Sequence, residues 1–77
     1  MELKDFIEKF AEQFDETPSE EFEANTEFKE LEEWDSLTIL TIIAMVDEEF
    51  GIKIKAEEIR SVDTVEELFT LVKSMAK

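Results

Sequence analysis

The chain has 77 residues, 22 of them acidic against 8 basic, and it contains neither histidine nor cysteine. The net charge of −14 argues against nucleic acid and anionic membranes as partners and favours proteins with basic docking patches. The missing residue types exclude disulfides, thiolate metal sites and Ser–His or Cys–His catalysis. We expect one domain over residues 1–77, complete from its first methionine, because 43% hydrophobic content with clear periodicity argues against disorder.

The sequence predicts neither a signal peptide nor a membrane span. The first residues alternate charged and apolar side chains, whereas a secretory signal needs an unbroken apolar stretch. The longest apolar-rich run, residues 37–46, is interrupted by Thr38 and Thr41 and is far too short to cross a bilayer. We therefore expect a cytoplasmic protein that does not insert into membranes.

The first predicted helix spans residues 2–14. Its apolar residues recur at the spacing of one helical face: Leu3, Phe6, Ile7, Phe10 and Phe14. Pro18 and the acids around it then favour a long loop over residues 15–35. We expect this loop to be held against the helices by its isolated apolar residues, Phe22, Phe28, Leu31 and Trp34, with a short helical turn at residues 28–31.

The second predicted helix spans residues 36–50. Asp35 and Ser36 are typical helix-start residues, and Gly51 stands where a left-handed residue commonly ends a helix. The β-branched residues inside this run could also suit a strand, but its length and its start and stop signals favour a helix.

Two further helices complete the prediction. A short helix is expected at residues 56–59. Thr64 and Glu67 form a capping-box pattern, which predicts a last helix over residues 65–76. The four elements together predict an all-α fold.

Ser36 is the residue of greatest chemical interest. With 22 acids in the chain, neighbouring carboxylates are more simply a solvated surface than an acid–base pair, and residues 47–51 lack the ligand pattern of a calcium loop. The first turn of a helix offers unpaired N–H groups and the positive end of the dipole, which suit a phosphate ester on Ser36. Local pattern alone nevertheless favours the simpler interpretation, in which Ser36 or Asp35 merely caps the helix.

The stretch Trp34-Asp35-Ser36-Leu37 resembles the signature of acyl and peptidyl carrier proteins. The resemblance covers the whole chain: a first amphipathic helix, a long acidic loop, a second helix ending in Asp47-Glu48-Glu49-Phe50, and a last helix starting at Thr64-Val65. It implies a four-helix bundle of acyl-carrier type, with a long loop between the first two helices and a short third helix.

The resemblance also implies the roles of three residues. Ser36 would receive 4′-phosphopantetheine from coenzyme A, delivered by a separate phosphopantetheinyl transferase. Asp35 would help to orient that reaction and the metal that the transferase uses, and Leu37 would contact the arm. The carrier itself would have no catalytic residue and no metal site of its own.

The same resemblance implies a partner surface on the second helix. Leu37, Leu40 and Ala44 would face acyl-transferring and condensing enzymes, and Asp47 and Glu48 would meet basic docking patches on those enzymes. By pattern alone, Leu37 and Leu40 suit the core equally well, since this helix is apolar on more than one face. The carrier would act as a monomer.

Several positions depart from fatty-acid carriers. Thr38 and Thr41 stand where those carriers often have acids, and Lys53 and Lys55 add positive charge after the helix. This loss of negative charge on the docking surface supports a dedicated pathway as readily as primary fatty acid biosynthesis.

The cargo and the carrier type remain open at this stage. Bulky residues are expected where fatty-acid carriers leave room for a long chain, at Ile39, Ile59 and Leu68, which favours short or polar cargo. An aminoacyl, peptidyl or D-alanyl carrier would share the serine motif. A small acidic adaptor, with Ser36 only a cap, is the alternative from another functional class.

Overall fold

The computed structural model describes residues 2–76, which contain four α-helices and no strand. The helices are α1 (Leu3–Ala11), α2 (Ser36–Phe50), α3 (Ala56–Arg60) and α4 (Val65–Met75). Two one-turn 3₁₀ helices, Ser19–Glu21 and Phe28–Glu30, lie between α1 and α2. The all-α bundle with a long first connection and a short α3 is confirmed. Within residues 2–76, no helix has the length and apolarity that crossing a bilayer requires.

Helix α1 ends at Ala11, so the prediction that it continues to residue 14 is wrong. The N–H groups of Gln13 and Phe14 donate to carbonyls three residues earlier, those of Phe10 and Ala11, at 3.1 Å each. These bonds tighten the chain into a turn. Phe14 is buried all the same, which explains why the apolar spacing continues beyond the helix.

Helix α2 has the predicted bounds, and both of its end signals act as expected. The Asp35 side chain accepts a hydrogen bond from the Thr38 N–H at 2.8 Å. At the other end Gly51 adopts a left-handed conformation, with φ of 69°, and its N–H donates to the Asp47 carbonyl. The strand interpretation of this β-branched run is therefore wrong.

Helices α3 and α4 differ from their predicted bounds by one residue each. Helix α3 continues to Arg60, and α4 ends at Met75. The capping box of α4 is present: the Glu67 N–H donates to the Thr64 hydroxyl oxygen at 3.1 Å, and the Glu67 carboxylate accepts from the Thr64 N–H at 3.3 Å.

The core is rich in aromatic side chains. All seven phenylalanines and Trp34 belong to one connected network of ring contacts, with centroid separations of 4.9 to 6.4 Å. Phe6 and Phe10 of α1 lie within this network. The core also contains buried aliphatic residues from α2, α3 and α4 and from the segment before α3: Ile39, Ile42, Met45, Val46, Ile54, Ile59, Val65, Leu68 and Val72.

The 15–35 segment is held firmly against the helices, as predicted. Phe22 and Phe28 are buried, and Leu31 and Trp34 pack against the core. The expected turn is the 3₁₀ helix Phe28–Glu30.

Backbone and side-chain hydrogen bonds also fix this segment. The carbonyls of Thr26 and Ala24 accept from the first N–H groups of α4, at 3.1 and 2.9 Å. Lys29 donates to the Arg60 carbonyl at the end of α3, at 2.8 Å, and lies 3.2 Å from Asp63. The segment is therefore a structured part of the fold, and it leads directly into Asp35 and Ser36.

Candidate functional site

Ser36 is the first residue of α2, and its side chain is exposed. Its neighbours Asp35 and Leu37 are exposed as well. A phosphate ester on Ser36 would lie beside the unpaired N–H groups of the first helical turn, where the helix dipole favours negative charge. The position therefore fits a bulky phosphate-linked group without any change in the core.

The Asp35 carboxylate is turned towards Thr38. Its Oδ1 accepts from the Thr38 N–H at 2.8 Å and lies 2.9 Å from the Thr38 hydroxyl. The bond from the N–H has the largest effect and the bond from the hydroxyl the next largest. Together they lower the pKa of Asp35 below its ordinary value despite some desolvation. The carboxylate is consequently ionised at neutral pH.

Thr38 does not lie on the exposed face of α2. The residue is only 7% exposed, and its hydroxyl lies 3.2 Å from the Glu33 carbonyl as well as beside Asp35. The Thr38 side chain therefore packs against Asp35 and Glu33 and does not extend into solvent. Thr41, one turn later, is half-buried and donates to the Thr38 carbonyl at 2.7 Å.

Leu37, Leu40 and Ala44 form an exposed row along α2, called here the α2 stripe. Leu37 and Leu40 are 67% and 61% exposed, and they are the large hydrophobic residues that stand exposed in the described chain. The alternative that places Leu37 and Leu40 in the core is therefore wrong. Residues 36–46 contain no charged side chain, although the chain as a whole has a net charge of −14.

Two acids follow the α2 stripe, and one of them is paired. Asp47 and Glu48 are both exposed at the end of α2. Lys53 lies 3.2 Å from the Asp47 carboxylate, and both side chains are open to solvent. The negative charge of Asp47 is thus partly compensated within the chain, as the added lysines in the sequence suggested.

Glu33 closes the loop that precedes the site. Its carboxylate accepts hydrogen bonds from the N–H groups of Asp15, Glu16 and Thr17, at 2.6 to 3.2 Å, and from the Thr17 hydroxyl at 2.9 Å. Desolvation alone would raise the pKa of Glu33, but the Thr17 hydroxyl and the three N–H groups outweigh it and lower the pKa. An ionised Glu33 therefore ties residues 15–17 to the start of α2.

An acidic surface groove borders this loop and Asp35. It has a volume of about 620 Å³, and its lining contains six carboxylates and no basic side chain: Glu16, Glu21, Glu30, Glu32, Glu33 and Asp35. Within residues 2–76, no three potential ligands are arranged to hold a metal ion. The groove is a negative surface beside Ser36.

A family model described as the phosphopantetheine attachment site matches residues 4–72. The chain belongs to this family. A carrier domain of this kind is not an enzyme: it bears 4′-phosphopantetheine covalently, and it interacts with the phosphopantetheinyl transferase that attaches this arm and with biosynthetic enzymes. The adaptor alternative, in which the chain has no arm, is therefore wrong. The searches of curated proteins and of solved structures gave no significant match.

Two features around the site were missed in the sequence. The burial of Thr38 had a partial signal, since a threonine three residues after an N-cap aspartate can turn back onto it. The role of Glu33 had none, because its main partners are backbone N–H groups, which every residue except proline possesses.

Proposed function

We propose that the chain is an acyl carrier protein, a single cytoplasmic and monomeric domain, that bears its phosphopantetheine arm on Ser36. The observation that supports this assignment is the exposed position of Ser36 on the first turn of α2, inside the family match. The other serines are placed differently. The hydroxyls of Ser61 and Ser74 donate to carbonyls of α3 and α4, and Ser19 belongs to a one-turn 3₁₀ helix.

The loading reaction requires the Ser36 hydroxyl and, as the family resemblance implies, the neighbouring Asp35 carboxylate, which would help to orient the reaction and the metal that the transferase uses. Ser36 Oγ forms a bond to the pantetheine-bearing phosphorus of coenzyme A, and the bond from that phosphorus to the bridging oxygen breaks. Adenosine 3′,5′-bisphosphate leaves with the electron pair, and the hydroxyl proton passes to a base of the transferase. When attached, the arm supplies a thiol that forms thioesters with acyl groups. This chain, which has no cysteine, offers no competing thiol.

The α2 stripe is the surface on which we expect partner enzymes to dock. Leu37 would contact the arm as well as the partner, and Asp47 and Glu48 would meet basic residues at the edge of the contact. Because residues 36–46 are uncharged and Asp47 is paired with Lys53, apolar contact should contribute more than charge. Partners would be acyl-transferring and condensing enzymes, in fatty acid synthesis or in a dedicated pathway.

The core favours short or polar cargo. Ile39, Ile59 and Leu68 are all buried among the aliphatic residues of α2, α3 and α4. A long acyl chain entering between these helices would have to displace them, at a packing cost of about 1–3 kcal/mol. A short or polar thioester can remain outside, next to the α2 stripe. The same packing suits an aminoacyl, peptidyl or D-alanyl group, which is the alternative cargo class.

Intact mass measurement tests the attachment site. The purified chain is incubated with coenzyme A, Mg²⁺ and a broad-specificity phosphopantetheinyl transferase, and should gain one phosphopantetheine. Ser36→Ala should keep the same helical circular dichroism and gain nothing, whereas Ser61→Ala and Ser74→Ala should be loaded like the parent. A loaded Ser36→Ala variant would show that another residue is the site.

A further inference from the structure

Thr38 has a buried hydroxyl that the helix cap does not need. An N-cap aspartate requires only the backbone N–H of the residue three positions on, and almost any residue supplies that group. Here the residue is only 7% exposed, and a buried hydroxyl costs free energy unless it is hydrogen-bonded. A valine would fill the same space without that cost.

The Thr38 hydroxyl has its partners on the two residues that frame the site. It lies 2.9 Å from Asp35 Oδ1 and 3.2 Å from the Glu33 carbonyl oxygen. It has a single proton, and the carboxylate is the stronger acceptor, so the proton lies mainly towards Asp35.

The hydroxyl and the N–H of Thr38 therefore both donate to Asp35 Oδ1. The hydroxyl donor is on a β-branched side chain whose χ1 angle is restricted in a helix. Together they fix the rotation of the Asp35 side chain and leave its second oxygen outside this pair of bonds. The lowered pKa of Asp35 agrees with this arrangement.

We propose that Thr38 is a positioning residue for arm transfer, holding the Asp35 carboxylate in the orientation in which the transferase must meet it beside Ser36. This inference rests on the proposed function, in which Ser36 is the attachment site. Thr38 touches neither the arm nor the partner, because it is buried beneath Asp35. It acts only through Asp35.

The test compares Thr38→Val, which removes the hydroxyl at nearly constant shape, with Thr38→Ser, which keeps it. Arm transfer from coenzyme A is followed by intact mass over a range of carrier concentrations. We expect Thr38→Val to lower kcat by about 10- to 100-fold, as the loss of a hydrogen bond to a charged group and of its orientation would do. KM should stay within about twofold, since the α2 stripe is unchanged. Thr38→Ser should restore most of kcat.

Two controls separate positioning from simple destabilisation. Thr64→Val removes the cap of α4, so it should lower the melting temperature while transfer is unaffected. In an Asp35→Ala background there is no carboxylate to orient, so adding Thr38→Val should have no further effect on kcat. All rates are measured below the lowest melting temperature, and Thr38→Ala replaces Thr38→Val if the latter does not fold.

The inference is overturned if Thr38→Val is loaded at the parent rate, if Thr38→Ser is slowed equally, or if the loss persists in full in the Asp35→Ala background. Failure of the proposed function is distinguishable: the parent chain would then not be loaded, or Ser36→Ala would be.

Discussion

Replacing Phe28 with alanine tests whether the 15–35 segment is an integral part of the core. Phe28 is fully buried, and its ring centroid lies 5.3 Å from that of Phe10 and 4.9 Å from that of Trp34. A residue on a loosely attached loop would make no such contacts. If the segment is as well packed as the helices, the substitution should have the cost of a core mutation.

The expected loss is large relative to the total stability. Truncating a buried phenylalanine to alanine costs about 3–5 kcal/mol. A domain of this size has a total stability of about 4–12 kcal/mol, and each kcal/mol corresponds to about 4–8 °C in melting temperature. The variant should therefore melt at least about 12 °C lower, or fail to fold. Phe69→Ala is the matched control: Phe69 contacts Phe6 at 5.2 Å but is only half-buried, so its loss should be smaller.

Urea unfolding provides the assay, because Trp34 is the chain's only tryptophan and contacts Phe28. The fluorescence of Trp34 reports on the segment, and far-ultraviolet circular dichroism reports on the helices of the bundle. The two transitions of the parent chain should coincide. A loss below about 1 kcal/mol for Phe28→Ala, or a Trp34 transition well before the helical one, would refute the reasoning.

Three further outcomes are expected. Glu33→Gln should destabilise the fold at neutral pH. Because the pKa of Glu33 is lowered in the folded state, the difference in unfolding free energy between variant and parent should shrink as the pH falls below 4.5 and through the lowered value. A difference that does not depend on pH would count against an ionised Glu33. Salt or divalent cations should raise the melting temperature, since they screen a net charge of −14, and an unchanged melting temperature between low and moderate salt would contradict this repulsion. The holo chain loaded with acetyl, hexanoyl and long saturated groups should show little gain in thermal stability or thioester protection with chain length, whereas a steady gain would reveal a deep pocket and exclude the short-cargo proposal.

Local signals were sufficient to predict helix α2 and the start of α4. Asp35, Gly51 and the Thr64–Glu67 pair act through neighbours at most four residues away, so their effect can be inferred without the tertiary structure. The end of α1 could not be predicted in this way. Phe14 is buried by contacts with Phe22 and Trp34, and this tertiary burial keeps the apolar spacing after the helix has stopped.

The exposed face of α2 also depended on tertiary packing. Helix α2 is apolar on more than one face, so by pattern alone Leu37 and Leu40 suited the core as well as a partner surface. The structure packs α1 and α3 against α2, buries Ile39 and leaves Leu40 exposed. The burial of Thr38 similarly depends on the segment that ends at Glu33.

The hydrogen bonds between residues 24–26 and the first turn of α4 join positions about 40 residues apart in the chain. During synthesis residues 24–26 emerge before α4, so they find these partners only after α4 has left the ribosome. The segment leading into Ser36 therefore completes its contacts only after α4 has been synthesised. Maturation consequently has an order: α4 is made and docked before a transferase can meet the native surface around the serine.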